Sequence, residues 1–308
     1  MSKVATKTPP IVRQKPVPEA SVPSRYAVRV GKFDILVVSD GIISIPAEAI
    51  ATNADPAARS TWLQDMFLPN DDLDWALNAF LVRNGDRTIL IDSGVGGEYS
   101  DYTRAGQFVG RLEAAGIDLA SVTDVVLTHM HFDHIGGLLV DGVKDRLRPD
   151  LQIHVSAAEV SFWEAPDFSR TAIPPELAEV IRRASTQFLT KYRHHLRTFE
   201  EESEIAPGVV VTRTGGHTPG HSVVRIASDG DRLMFAGDAL LPASFDRPEW
   251  HNGFEHDPEE ATRVRLRLMR ELVATGSLLV STHMPFPSVG HVAAAGDLFR
   301  WVPAWWDY

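Results

Sequence analysis

Histidine and aspartate side chains are concentrated in a few short segments of the chain. Residues 129–134 contain three imidazoles and one carboxylate in the pattern H-x-H-x-D-H, and His217, His221, Asp238 and His283 follow downstream. Neutral imidazole nitrogen and carboxylate oxygen are the ligands that a zinc-like ion prefers. A single histidine is more often a hydrogen-bonded core or surface residue. The complete set, packed after apolar strands, would be costly to desolvate without a cation and therefore favours a metal site.

Composition limits the kinds of chemistry that the chain can perform. It contains no cysteine, which excludes disulfides, thiolate metal ligands and cysteine nucleophiles. Any bound metal must therefore be held by nitrogen and oxygen atoms. The net charge of −11 argues against a nucleic-acid partner, because a nucleic-acid groove needs a basic surface.

The elements that must position these segments alternate between short strands and helices. Strands predicted at 122–127, 232–235 and 278–281 each lead directly into one of the His/Asp segments. Further strands are predicted at 152–155, 209–212 and 222–227, and hairpins at 27–30 with 33–38, ending at 39–41, and at 78–82 with 88–91. Helices are predicted at 108–115, 156–163 and 258–275, with one or two more within 174–193. This order indicates an α/β (α+β) fold in which helices cover the outer sides of the sheets.

The first 25 residues differ from the rest of the chain. They are rich in proline, which favours an extended arm, and they lack the apolar stretch of a signal peptide. No apolar run in the chain reaches the length of a membrane span. We expect an arm at 1–25 and one hydrolase domain at 26–308, cytoplasmic and without a membrane partner. The arm could embrace a second subunit in a homodimer.

In order and spacing, the His/Asp segments resemble the signature of the metallo-β-lactamase superfamily from about residue 26 to the end. The resemblance implies an αββα four-layer sandwich with the metals at the ends of the central strands. Asp238, which follows Gly237, is similar to the aspartate that bridges two metal ions in the branch containing glyoxalase II, N-acyl-homoserine lactonase and methyl parathion hydrolase.

Carried over to this chain, the resemblance implies a ligand set for two divalent ions. His129, His131 and His217 would hold the first ion, Asp133, His134 and His283 would hold the second, and Asp238 would bridge them. His221 would stay outside the ligand set and support its loop. Asp92, at the Gly-rich corner after 88–91, would either orient a ligand histidine or cap a turn. We expect the other histidines to lie outside the site, with His251 and His256 exposed and His154 half-buried in a strand.

Zinc is the expected metal, although the nitrogen and oxygen donors also accept Mn²⁺, Fe²⁺ or Co²⁺. Two ions about 3.5–4 Å apart can share a hydroxide whose pKa falls to about 7. The resemblance implies that this bridging hydroxide attacks the substrate, with Asp133 and Asp238 as the catalytic carboxylates. Asp133 would take and return a proton.

The substrate hypothesis depends on the apolar residues near the metal segments. Leu241 stands where acyl-homoserine lactonases have a tyrosine, and this residue and segment 282–287 look more similar to methyl parathion hydrolase. The candidates for an apolar pocket wall, about half of which we expect to line the site, are Phe132, Trp163, Leu241, Phe245, Trp250 and Phe286. An apolar pocket suits a neutral small-molecule lactone or aryl ester.

The leading hypothesis is therefore a lactonase, of the quorum-quenching kind, or an arylesterase with promiscuous organophosphate hydrolysis. Three alternatives remain open. The chain could be a glyoxalase II-like thioesterase, although no basic cluster is evident for an anionic thiol carrier. It could be an organophosphorus triesterase in its main activity. It could also be a non-catalytic module that binds a metal or a ligand.

Overall fold

Fourteen strands and seven α-helices lie within residues 23–97 and 102–305, which are the residues that this computed structural model describes. The strands are β1 (Arg25–Val30), β2 (Phe33–Pro46), β3 (Asp72–Asn84), β4 (Arg87–Ile91), β5 (Asp124–Val126), β6 (Gln152–Ser156), β7 (Leu196–Phe199), β8 (Glu202–Ala206), β9 (Val209–Arg213), β10 (Ser222–Ser228), β11 (Asp231–Phe235), β12 (Leu278–Val280), β13 (Gly290–Ala295) and β14 (Leu298–Pro303). The helices are α1 (Pro56–Asp65), α2 (Phe108–Ala114), α3 (Phe132–Leu139), α4 (Val143–Arg146), α5 (Ala157–Glu164), α6 (Pro175–Tyr192) and α7 (Pro258–Thr275).

The strands form two seven-stranded sheets in which spatial order follows chain order. In the first sheet, β1 to β4 pair antiparallel and β4 to β7 pair parallel. The second sheet, β8 to β14, is antiparallel except for the parallel pair β11 and β12. Each sheet thus has neighbouring parallel strands whose carboxyl ends meet at one edge.

Three apolar clusters show how the layers stack. One cluster joins the facing sides of the two sheets, where the rings of Phe80 and Phe235 are 4.3 Å apart. A second packs helices α2, α3 and α6 against the outer side of the first sheet. The third packs Leu268 and Leu272 of α7 against the outer side of the second sheet. The arrangement is the four-layer αββα sandwich that the sequence predicted.

The carboxyl ends of β4 and β5 in one sheet, and of β11 and β12 in the other, lead into the segments that carry the His/Asp residues. Helix α3 lies very close to the loop after β4. A Cβ on Gly137 would come within 2.0 Å of the Ser93 carbonyl oxygen, so only glycine permits this approach. The close contact brings His134, on α3, beside Asp92, at the end of β4.

Several boundaries differ from the sequence predictions. The first hairpin does not end at 39–41, because β2 continues through an irregularity between Ser39 and Gly41 as far as Pro46. Segment 174–193 forms one long helix, α6. Most of the Pro-rich arm, residues 1–22, lies outside the described residues, and Arg25 already belongs to β1. Among the residues that the structure describes, no helix has the length and apolarity to cross a membrane.

Candidate metal centre

Two groups of potential metal ligands lie side by side at the edge where the strands end. The first group is His129, His131, His217 and Asp238, and the second is Asp133, His134 and His283. Within each group the ligand atoms all lie within 4.8 Å of one another, and every residue is buried. The structure therefore brings together all seven side chains that the sequence singled out.

Asp238 lies between the two groups. Its Oδ2 is 3.4 Å from Nε2 of His217 in the first group and 3.1 Å from Nε2 of His283 in the second. Its Oδ1 is 3.3 Å from Nε2 of His134 and has no hydrogen-bond partner within the described residues. One carboxylate thus faces imidazoles of both groups, which is the geometry that a bridging ligand requires.

The spacing of the nitrogen atoms in the first group fits a metal ion. Nδ1 of His131 lies 3.0 Å from Nε2 of His129 and 3.0 Å from Nε2 of His217. Zinc–nitrogen bonds of about 2.0 Å in a tetrahedron place the nitrogens about 3.3 Å apart. Burial lowers the pKa of all three histidines well below its usual value, so each imidazole is neutral and can offer one nitrogen lone pair. Three neutral imidazoles with ligand nitrogens this close together indicate a cation site.

The second group has a different electrostatic balance. Burial alone would lower the pKa of His134, but the Asp238, Asp133 and Asp92 carboxylates raise it well above its usual value. Burial also lowers the pKa of His283, but the Asp238 and Asp133 carboxylates together raise it above its usual value. The carboxylates around this group therefore favour a positive charge, which a divalent cation would supply.

Hydrogen bonds on the far side of the ligands fix their orientation. Asp92 accepts from the backbone N–H of Thr128 at 2.9 Å, and its Oδ2 lies 2.7 Å from Nδ1 of His134. Nδ1 of His283 lies 2.8 Å from the Ala76 carbonyl oxygen, to which it donates. Each of these two imidazoles consequently presents Nε2 to the site. Asp92 adopts a left-handed backbone (φ 57°), so it orients a histidine from a strained corner.

His221 supports its loop from outside the two groups. Nε2 of His221 accepts a hydrogen bond from the backbone N–H of Asp238 at 3.1 Å. Its Nδ1 lies 2.8 Å from the Thr214 hydroxyl. Burial lowers the pKa of His221 to about 4, which keeps it neutral and able to accept at Nε2. The residue thereby holds the Asp238 backbone against the 214–221 loop.

An apolar cavity of about 720 Å³, which we call the chamber, opens beside the metal centre. Its walls include Ile42, Trp62, Leu73 and Ala243. A small crevice directly over the ligands, lined by His131, Asp133 and Asp238, shares four wall residues with this chamber. The shared residues are Trp75, Leu241, Asn252 and His283. A molecule in the crevice could therefore extend an apolar part into the chamber.

The family follows from a sequence match that covers much of the fold just described. Residues 74–280 match the metallo-beta-lactamase superfamily. The chain belongs to this superfamily. The matched region contains six of the seven candidate ligands, and His283 follows three residues after its end.

Individual members of the superfamily resemble the chain at modest identity. The solved structure of AidC, a dizinc quorum-quenching lactonase, is 26% identical, with a TM-score of 0.84 over 92% of this chain and 99% of AidC. The hydrolase AbOPH is 27% identical, with a TM-score of 0.82 over 94% of this chain and 100% of AbOPH. A probable metallo-hydrolase of Mycobacterium tuberculosis is 28% identical over 190 residues, 53% of this chain and 56% of the relative. The chain spans about half the length of the curated relatives it matches first.

Sequence reasoning missed one buried carboxylate, which connects two loops at the candidate metal centre. Glu159 of α5 is fully buried, and its Oε1 accepts from the backbone N–H of Met130 at 2.8 Å and from the Trp163 indole at 2.6 Å. Its Oε2 accepts from the Thr218 hydroxyl at 2.6 Å and from the backbone N–H of Gly220 at 3.0 Å. In the sequence it is one acidic residue on a short helix, without a motif to identify it.

The predicted wall residues separate into two sets. Leu241 and Phe286 line the chamber, and Phe132 lines the small crevice. Trp163, Phe245 and Trp250 line neither cavity, which corrects their predicted placement. The Trp163 indole donates a hydrogen bond to Glu159. The Phe245 ring lies 5.8 Å from the Trp301 ring, and Trp250 packs edge-on against Trp62.

Three other histidines also differ from expectation, and the first of them, His251, is half-buried rather than exposed. His256 is buried, not exposed, and its ring lies 5.7 Å from that of His131. His154 is buried, and its Nε2 lies 3.0 Å from Asp124. His256 occupies the loop before α7, where the sequence offers no apolar pattern to reveal its burial.

Proposed function

We propose that this metallo-hydrolase uses two divalent metal ions to cleave a neutral lactone or aryl ester that carries an apolar tail. The proposal depends on one observation, namely that the crevice over the candidate ligands and the apolar chamber meet at a junction whose lining residues belong to both cavities. A reactive carbonyl would lie beside the candidate ligands in the crevice, and an apolar substituent would enter the chamber.

The ligand assignment follows the two groups of side chains. His129, His131 and His217 would hold one ion, Asp133, His134 and His283 would hold the other, and Asp238 would bridge them. Zinc suits this set of nitrogen and oxygen donors, although Mn²⁺, Fe²⁺ and Co²⁺ also do. When bound, two such ions supply a water nucleophile of lowered pKa and a Lewis acid that polarises the scissile carbonyl.

The chain's own residues prepare the site for this reaction. Asp133 is buried, and its Oδ2 lies 3.6 Å from Nε2 of His134 and of His283. It lies in the crevice, where it could receive a proton and return it to the leaving alkoxide. The surrounding apolar side chains, among them Ile43 and Phe254, restrict water at the reacting carbonyl.

The character of the chamber supports an uncharged substrate. Apolar side chains form most of its surface, and Arg104, one of its two arginines, is paired with Asp74. Burying an anionic carrier there would leave charges without partners. The similarity to AidC, a lactonase crystallised with a ring-opened N-acyl homoserine product, agrees with a lactone of this type.

The test is a substrate panel with metal analysis. Protein loaded with Zn²⁺ should hydrolyse N-hexanoyl homoserine lactone or an aryl ester faster than a phosphotriester or a glutathione thioester. Removal of the metal by a chelator should abolish turnover, and added Zn²⁺ should restore it. Preferred cleavage of the phosphotriester or thioester would replace the proposed substrate class, and bound metal without any turnover would indicate a binding module.

A further inference from the structure

Four side chains form the junction between the crevice and the chamber, and one of them is an amide. Trp75, Leu241, Asn252 and His283 line both cavities. His283 belongs to the candidate ligands, and Leu241 is apolar. Asn252, which is only 4% exposed, is the polar side chain whose role the metal centre does not explain.

The hydrogen bonds of Asn252 determine which end of its amide is free. Its Oδ1 accepts from the backbone N–H of Phe254 at 2.9 Å. Because a backbone N–H only donates, this contact assigns the oxygen and leaves Nδ2 at the other end. Nδ2 has no hydrogen-bond partner among residues 23–97 and 102–305. Because Asn252 lines both cavities, an N–H donor without a protein acceptor at this position is available to a ligand oxygen.

The backbone around Asn252 is held rigidly. The N–H of Asn252 donates to Oε2 of Glu255 at 2.9 Å, and the Arg265 guanidinium donates to the other carboxylate oxygen of Glu255. The same guanidinium donates to the Trp250 carbonyl oxygen at 2.9 Å. Gly253 donates to the Ala49 carbonyl oxygen at 2.7 Å, which ties the segment to the neighbouring loop. The free amide nitrogen is therefore preorganised, so little entropy is lost when it binds an acceptor.

We propose that Asn252 is a specificity-determining residue that donates a hydrogen bond from Nδ2 to a substrate carbonyl lying between the scissile group and the apolar tail. This inference rests on the proposed function. With the scissile carbonyl in the crevice and the tail in the chamber, the linking atoms of the substrate cross the junction. A lactone with an acylamino substituent places an amide oxygen there, whereas an alkyl lactone places only methylene groups.

The experiment compares two lactones of matched tail length, N-hexanoyl homoserine lactone and an α-alkyl-γ-butyrolactone, in the Zn²⁺-loaded enzyme. Asn252→Ser keeps a short acceptor for the N–H of Phe254 and is too short to present the donor. It should raise KM for the acylamino lactone roughly threefold to tenfold, the effect of one lost hydrogen bond. Its kcat should change little, because the hydrogen bond lies away from the scissile group and is equally strong in the bound substrate and in the transition state. The alkyl lactone should be unaffected.

Trp75→Phe is the matched comparison, because the indole N–H of Trp75 also has no hydrogen-bond partner in the described part of the chain. This variant should change KM for both lactones by the same factor. A selective loss in Trp75→Phe, or an equal loss on both lactones in Asn252→Ser at unchanged metal content, would overturn the role of Asn252. If the wild-type enzyme cleaved an aryl ester but neither lactone, the inference alone would fail. If it cleaved neither the lactones nor an aryl ester, the proposed function itself would fail, and the inference with it.

Discussion

The Asp92 carboxylate and the His134 imidazole, 2.7 Å apart, connect the end of β4 to the first turn of α3. Asp92 should therefore control metal binding in the second ligand group. Asn tolerates the left-handed backbone of this position but offers an amide where the carboxylate stood. Asp92→Asn should weaken the binding of one of the two ions by about tenfold to a hundredfold. Competition with a chromogenic chelator measures this affinity.

The chain contains a matched control for Asp92. Asp124 lies 3.0 Å from Nε2 of His154 between β5 and β6, and both of these residues are buried outside the ligand groups. Asp124→Asn should leave both metal affinities unchanged. Equal metal binding in wild type and Asp92→Asn would show that Asp92 only caps a turn.

Glu159 should stabilise the fold through the two loops it joins. In Glu159→Gln, an amide nitrogen would replace one carboxylate oxygen. The two groups that donate to that oxygen would then face another donor. Leaving a buried donor unsatisfied should lower the free energy of unfolding by roughly 1–3 kcal/mol. Urea unfolding of the metal-free protein measures the loss. Glu164→Gln, on the same helix but at an exposed ion pair with Arg193, should change it by less than about 0.5 kcal/mol. Similar values for the two variants would contradict the assigned role.

The stability of the protein should depend on pH through Asp40. Burial raises the pKa of this residue from 3.8 to about 6, although the backbone N–H groups of Val95 and Phe108 oppose the shift. The folded state therefore holds the proton more tightly than the unfolded state. The stabilisation is complete below pH 3.8 and is lost as the pH rises through about 6.

Asp40→Asn should remove this dependence. The difference in unfolding free energy between wild type and variant should fall by roughly 2–3 kcal/mol between pH 4 and pH 7. Urea unfolding at several pH values gives this difference, because the other titrating groups cancel. Asp34→Asn, at an exposed ion pair with Arg29, provides the control. A constant difference for Asp40→Asn would mean that the buried carboxyl has an ordinary pKa.

Filling the apolar chamber should select against long substrates. Ala243 lines the chamber but not the crevice over the candidate ligands. Ala243→Phe should lower kcat/KM for a decanoyl ester at least tenfold and leave an acetate ester of the same alcohol within about twofold, because only the long tail needs the volume. Steady-state kinetics on the two esters decides this. Equal losses on both would mean that the tail does not enter the chamber.

Sequence reasoning predicted the metal segments because their chemistry is local. The H-x-H-x-D-H pattern and the following His217, Asp238 and His283 come directly after apolar strands or at a tight loop, and strand ends meet at a sheet edge. The αββα layers were predicted from the interleaved elements together with the family resemblance. The long helix α7 was predicted with its observed bounds, since Pro258 begins it and Gly276 ends it.

Features that depend on tertiary contacts were not predictable from the sequence. Glu159 is a single acid on a short helix, and only the fold shows four donors converging on it. Trp163 and Trp250 are large apolar residues near the metal segments, yet periodicity does not tell a cavity wall from a core position. Strands β13 and β14 were missed because only Gly290 and Val292 of β13 are buried and no residue of β14 is buried, so neither strand shows a sustained apolar pattern.

The number of divalent ions bound per folded chain tests the central claim most directly. Protein saturated with Zn²⁺, freed of excess metal by gel filtration and analysed by mass spectrometry of the metal, should contain two ions per chain. Asp238→Ala should contain one or none and should lose turnover. A folded wild-type chain with fewer than two ions, or an Asp238→Ala variant with two ions and full turnover, would contradict a shared site bridged by Asp238.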